Sequence, residues 1–278
     1  MNTDRNETYD FQKYIDETLR LNELLNSDLR TLANVKINTL QDTLTSFLAL
    51  LRDLQQSDKD TYFQLLQEIN MSESYLSHLS LIDLKLQDIK SKPLSEKSIA
   101  IMACGGIPET LNNLPDTTST KTEEAEHRSF FGEYLKHQAD LPFNSTAIEV
   151  LEDVFNEVFE SKRFSKGEES DLNRDEACIK MEKSWTIIEA IRDKVIRISD
   201  ALVDIHKKCK RELRYFEPII PDFEIEHTYH LTRFKQMSKW IKLIDEFAEV
   251  SLFDKDFNLS ESSRSLLKDI QHTLQADI

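Results

Sequence analysis

One stretch of the chain decides the fold. Residues 177–216 read ACIKMEKSWTIIEAIRDKVIRISDALVDIHKKCKRELRYF, with neither Gly nor Pro. Stepping alternately by three and four residues visits ten positions, eight of them apolar: Met181, Ser184, Ile188, Ile191, Val195, Ile198, Leu202, Ile205, Cys209 and Glu212. This repeat indicates a helix that lays one seam against other helices.

The residues beside this seam indicate how many neighbours the helix has. Trp185, Ile187, Ala201 and Leu213 flank it and make the apolar stripe wider than a strict coiled-coil seam. A wide stripe is buried only by two or more neighbouring helices. The pattern therefore predicts one wall of a three- or four-helix bundle rather than half of a two-stranded coiled coil.

Composition extends this prediction to the whole chain of 278 residues. Only 4 residues are Gly and 6 are Pro, whereas 31% are charged and 39% hydrophobic. Sheet-rich folds need Gly and Pro at many turns, so this scarcity favours long helices with few short connections. A 40-residue helix is about 60 Å long, and a compact chain of this size is only about 50 Å across. We therefore expect an all-α fold, an elongated helical bundle or coiled coil.

Composition shifts divide the chain into five parts. Residues 1–111 form a helical hairpin or coiled-coil region, 112–122 a linker, 123–160 an acidic helical region, 161–173 a second linker, and 174–278 a C-terminal helical region. In the first region we expect helices over about 6–56 and 60–91, and a short helix that ends at Gly105. In the last, the long helix is followed by an extended hinge at Pro218–Pro221 and by helices over about 224–253 and from Ser260 onward.

The first helix has two apolar series that do not share one phase. Leu21, Leu25 and Leu32 belong to the first series. The second comprises Ala33, Ile37, Leu40, Leu44, Phe47, Leu51 and Leu54. A stutter, a kink, a change of partner or a break near residues 32–35 would each reconcile them.

Charge and cysteine content limit location and partners. The formal net charge is −16, which disfavours direct binding to nucleic acid or to anionic lipid. The N-terminus lacks the pattern of a signal peptide, and no window has 18 consecutive apolar residues. Cys104, Cys178 and Cys209 are widely spaced and form no CxxC pair. We expect reduced thiols in a cytoplasmic or nuclear protein that is neither secreted nor transmembrane.

Basic residues cluster densely at the end of the long helix: Lys207, Lys208, Lys210, Arg211 and Arg214, next to His206. Cations in the last turns of a helix stabilise it through the helix dipole, which is the structural interpretation. The functional interpretation is a docking site for an acidic segment of a partner, for nucleic acid or for a phosphoinositide. The predicted partner-binding surface combines this cluster with the apolar seam at Ile188, Ile191, Val195, Ile198, Leu202 and Ile205.

Two Glu-x-x-His pairs resemble the ligand spacing of metal sites in helical bundles. They are Glu124 with His127 and Glu224 with His227, and His230 lies one turn beyond. This spacing places both side chains on one face of a helix. Both pairs also lie at predicted helix starts, where Glu is favoured by the helix dipole. They are therefore metal-ligand candidates with a plain structural alternative.

Catalytic motifs are otherwise missing from the sequence. Cys104-Gly105-Gly106 could form an anion-binding loop with a nucleophile, but a Gly helix cap before Pro108 accounts for every residue. There is no phosphate-binding glycine motif and no GxSxG motif. We expect no enzymatic activity, no cofactor and no small-molecule substrate.

Taken together, these features predict a non-enzymatic helical interaction or scaffold subunit of a multiprotein assembly. Its partners would be other helical subunits, in a homo- or hetero-oligomer. Kinetochore, spindle and vesicle-tethering complexes are built from such chains, an analogy at the level of architecture only. The alternatives are a metal-binding helical bundle or bundle enzyme that uses the Glu-x-x-His pairs, and a helical rod that binds membrane surfaces.

Overall fold

A computed structural model describes residues 3–90, 102–106, 174–254 and 258–275. Within these ranges the fold is all-α, without a β-strand, which confirms the predicted class. The helices are α1 (Thr3–Ser57), α2 (Lys59–Glu68), α3 (Glu73–Lys90), α4 (Arg174–Phe216), α5 (Thr228–Glu249) and α6 (Glu261–Gln275). The predicted linkers, the acidic helical region at 123–160, and Glu124 and His127 lie outside the described residues.

Helix α1 is one continuous helix of 55 residues. It contains neither Gly nor Pro, and every member of its second apolar series is buried. The phase change near Leu32 occurs without a break in the helix, and Leu32 and Ala33, which belong to the two series, are both completely buried. Beyond this point Lys36 Nζ donates to the carbonyl of Gly105, while α4 remains a neighbour of α1 on both sides of the shift.

The predicted helix over 60–91 is wrong in one respect, because it is divided into α2 and α3. Asn70 lies between them with φ of 52°, in the left-handed region that Asn tolerates better than most residues. The amide of Met71 then donates to the carbonyl of Leu66 at 2.9 Å. Ser72 caps α3 by accepting a hydrogen bond from the amide of Tyr75 at 3.1 Å.

Helix α4 runs parallel to α1, and the two contact each other along most of their lengths. The indole Nε1 of Trp185 donates to Thr18 Oγ1 at 2.8 Å. Further along, Arg192 Nε donates to Asp28 at 2.7 Å. Still further, Thr43 Oγ1 lies 3.1 Å from His206 Nδ1. Residue numbers rise together on both helices, so the pair is parallel.

The seam predicted for α4 is confirmed in full. All ten positions, from Met181 to Glu212, are buried. The flanking residues predicted to widen the stripe, Trp185, Ile187, Ala201 and Leu213, also pack on the apolar core. One core includes residues of all six described helices, and α4 packs on α1, α5 and α6, so its wide stripe meets more than one neighbour, as predicted.

The Pro218–Pro221 connection differs from the extended hinge that the prolines predict. A turn after α4 leads into a 3-10 helix, Ile220–Asp222, and only Phe223 is extended. The fixed φ of Pro221 suits the second position of that helix. The connection brings the ring of Phe216 within 4.9 Å of Phe234, measured between centroids.

Helix α5 begins at Thr228, four residues later than the start predicted at 224. It returns antiparallel along α4, because Arg233 pairs with Glu212 and Trp240 lies beside Lys208. Helix α6 starts as predicted, with Ser260 Oγ accepting from the amide of Ser263 at 3.1 Å.

Candidate functional site

The predicted partner-binding seam lies inside the chain. Its six apolar side chains are at most 2% exposed: Ile188, Ile191, Val195, Ile198, Leu202 and Ile205. These side chains face α1 of the same chain, so the seam is buried without a second protein. Partner binding by these residues remains a prediction.

The basic cluster contacts other parts of the described chain. Lys207 Nζ donates to Asp204 at 3.3 Å, and Lys210 Nζ lies 3.8 Å from Asp42. Lys208 Nζ donates to the carbonyl of Leu274 at 2.9 Å and lies 5.8 Å from the centre of the Trp240 ring. These lysines therefore help to join α4 to α1, α5 and α6, which weakens the case for a free docking surface.

Arg211 completes an ion-pair network around a buried acid. Glu212 occupies a seam position, yet its side chain is only 5% exposed. Arg233 Nη2 lies 2.6 Å from Glu212 Oε2, and Arg211 Nε lies 3.1 Å from Oε1. The guanidinium of Arg233 also stacks on Tyr215 at 3.5 Å. Two cations thus compensate the buried carboxylate, which explains an acidic residue in an apolar seam.

Two adjacent cavities of about 370 and 390 Å³ lie between α1 and α4. They share Thr45, Ser46, Lys210 and Leu213. The other charged residues that line them carry both signs: Asp42, Asp53, Arg214 and Glu217. The volumes suit a small molecule, but this mixed lining selects neither an anion nor a cation.

Burial holds both thiols of the core in their neutral form. It raises the pKa of the Cys104 thiol to about 12, although Lys36 opposes the shift, and it raises the pKa of Cys209 further. A thiolate is the nucleophilic form, so neither residue is poised for nucleophilic chemistry. The carbonyl of Cys104 accepts from the amide of Leu252 at 2.8 Å, a packing role that agrees with the structural interpretation of this loop.

Helix capping uses one nitrogen of His227. Its Nδ1 accepts a hydrogen bond from the amide of His230 at 3.4 Å, and the two rings stack with centroids 3.8 Å apart. Burial, followed by the neighbouring His227, lowers the pKa of His230. Metal binding by Glu224, His227 and His230 remains a prediction, with the capping role now observed.

A different set of side chains converges in the described part of the chain. Nitrogen and oxygen atoms of His78, Asp245 and Glu249 all lie within 4.8 Å of one another. Sequence reasoning missed this group because His78 is on α3 and the two acids are on α5. The available signal was the acidic pair Asp245-Glu246 between Ile244 and Phe247 in a broadly apolar helix.

Comparison with protein-family models, with curated proteins and with solved structures finds no match to this chain. Among the described helices, none is both long enough and apolar enough to cross a lipid bilayer. Function therefore has to be argued from the geometry of the chain itself.

Proposed function

We propose that this protein is a non-enzymatic helical interaction subunit of a multiprotein assembly, elongated along the α1–α4 pair. One observation carries the proposal. A second, smaller apolar cluster lies at the beginning of this pair and shares Trp185 with the main core. Its described members come only from α1 and α4: Phe11, Tyr14, Ile15, Leu19, Met181 and Trp185.

The composition of this N-terminal cluster supports a docking role. Phe11, Tyr14 and Trp185 are only partly buried, and the rings of Tyr14 and Trp185 stack with centroids 5.2 Å apart. Ile179, one turn before the Glu182 that Tyr14 contacts, is 52% exposed. Half-exposed aromatic residues beside exposed aliphatic ones are typical of surfaces that bind another protein.

Helix length supports the same proposal. At 1.5 Å per residue, α1 and α4 are about 80 and 65 Å long, whereas each other described helix has at most 22 residues. The pair is therefore much longer than the helices that return along it. A partner helix that added to its N-terminal end would extend the bundle without rearranging its core.

The test compares two exposed apolar positions. Ile179→Asp places a charge beside the N-terminal cluster, and Leu84→Asp is the matched control at a 63% exposed position on α3. We expect the tagged wild-type chain and Leu84→Asp to co-purify with stoichiometric partners that migrate with them in size exclusion. Because a carboxylate in an interface is costly, Ile179→Asp should reduce partner recovery at least about tenfold. A wild-type chain without a stoichiometric partner, or equal recovery with both variants, would contradict the proposal.

A further inference from the structure

The group formed by His78, Asp245 and Glu249 lies where α3 faces α5. On α5, Asp245 and Glu249 are four residues apart and therefore share a face. On α3, Tyr75 and His78 are three residues apart. Tyr75 Oη donates to Asp245 Oδ2 at 2.8 Å, and His78 Nε2 lies 3.0 Å from Glu249 Oε1. The two helices thus present one imidazole, one phenol and two carboxylates to each other.

Asp245 is the unusual member of this group. It is only 4% exposed, and its Oδ1 has no hydrogen-bond partner among the described residues. A buried carboxylate oxygen without a partner is costly. Lys242, one turn away on α5, does not compensate it, because its Nζ donates to the carbonyls of Ile69 and Asn70 at 3.0 and 2.8 Å.

Burial dominates the electrostatics of Asp245 and raises its pKa to about 6. The hydrogen bond from Tyr75 opposes this shift, and the negative charge of Glu249 adds to it. Asp245 and Glu249 place two carboxylates together on one face of α5, and a bound cation would relieve their repulsion.

The donor atoms select the class of cation. One imidazole nitrogen and two carboxylates suit zinc, whereas magnesium and calcium prefer oxygen ligands alone. Zinc bonds of 2.0–2.2 Å in a tetrahedral site place ligand atoms about 3.4 Å apart, and the three side chains already lie within 4.8 Å of one another. His78 and Glu249 are 39% and 49% exposed, so a cation and a water can reach the site.

We propose that His78, Asp245 and Glu249 bind one zinc ion that joins α3 to α5, with water in the fourth position. Tyr75 is a positioning residue, because its hydroxyl orients the Asp245 carboxylate. In this proposal the zinc ion holds α3 and α5 together, and the protein supplies three of its four ligands. The site does not depend on the interaction surface at the other end of the α1–α4 pair.

The experiment uses the purified full chain, treated with chelator and then titrated with zinc chloride by calorimetry. We expect one equivalent to bind, and a rise in the melting temperature at saturating zinc. His78→Ala should weaken binding at least about tenfold and abolish that rise. His272→Ala is the matched control: it removes an exposed histidine on α6 rather than one of this group, and should bind zinc like the wild type.

A second variant separates loss of the metal from loss of the fold. Glu249→Gln changes a half-exposed side chain, so its circular dichroism should match that of the wild type while zinc binding weakens at least about tenfold. With cobalt chloride, the wild type should show visible absorption bands that Glu249→Gln lacks. The proposal is overturned if the wild type binds no stoichiometric zinc, or if a folded Glu249→Gln retains full affinity. Zinc binding lost in His272→Ala but kept in His78→Ala would overturn it as well.

Discussion

Lys36 is buried in the middle of α1 and is only 3% exposed. Its ammonium donates to the carbonyl of Gly105 at 2.9 Å, and this bond connects α1 to the segment at residues 102–106. Gly106 in turn lies directly against α5, because a Cβ there would be 2.3 Å from the carbonyl oxygen of Glu249. Lys36 and the Gly105-Gly106 pair thus hold the segment at residues 102–106 between α1 and α5.

The buried lysine makes stability depend on pH in a defined direction. Burial lowers the pKa of Lys36 to about 8, and Cys104 only partly opposes this shift. The unfolded chain then binds more protons than the folded one between about pH 8 and pH 10.5, so this residue increases the free energy of unfolding as pH rises. At one pKa unit per 1.36 kcal/mol, the contribution is at most about 3 kcal/mol.

Lys36→Met should remove this dependence and stabilise the protein near pH 7. Removing the buried charge stabilises the folded state by more than the roughly 1 kcal/mol that the lost hydrogen bond contributed. We therefore expect the free energy of unfolding to rise by about 1–2 kcal/mol. Urea unfolding from about pH 7 to about pH 10 measures both effects. Lys239→Met, at an exposed position on α5, is the control. Parallel pH curves for wild type and Lys36→Met would contradict the prediction.

At the scale of the helices, the spacing of apolar residues predicts which face is buried, but it does not predict where a helix breaks or ends. The 3-4 repeat of α4 was sufficient to identify all ten of its buried positions, because an α-helix presents the same face every 3.6 residues. The break at Asn70 and the 3-10 turn after Pro218 were not anticipated. Both depend on hydrogen bonds at helix ends, which leave little trace in the apolar pattern.

Substitutions of Asn70 test whether the left-handed backbone between α2 and α3 stabilises the fold. Asn70 has a φ of 52°, which is strained for a residue with a Cβ, less so for Asn, and not at all for Gly. Because its side chain is exposed, we expect Asn70→Ala to destabilise the protein by about 1 kcal/mol, while Asn70→Gly is nearly neutral. The urea midpoints of the two variants measure the difference. Equal midpoints would show that the left-handed backbone is not required here.

At the scale of the whole molecule, the fold depends on two long parallel helices. The shorter helices lie along this pair: α3 packs on α1, and α5 and α6 pack on α4. Parallel neighbours require a long crossover in the chain between them, and here α1 and α4 are separated by more than a hundred residues. Local sequence carries no information on that choice of direction.

Small-angle X-ray scattering tests the proposed elongation. Helix α1 alone is about 80 Å long, so the maximum dimension in solution should be at least about 80 Å. A compact chain of 278 residues would have a radius of gyration near 19 Å and a diameter near 50 Å. Light scattering on the same sample, compared with the chain mass of 32.5 kDa, shows whether one chain or an oligomer has that length. A monomer near 50 Å across would refute elongation.

The sequence by itself determined the class of fold and the ten buried positions of the α4 seam, because these follow from local periodicity and from the scarcity of Gly and Pro. Only the tertiary structure decided that α1 and α4 are parallel and bury their seams in each other. It alone brought His78 to Asp245 and Glu249, about 170 residues away along the chain. Contacts between distant helices depend on the direction and rotation of each one, and the spacing of residues within a single helix does not specify either.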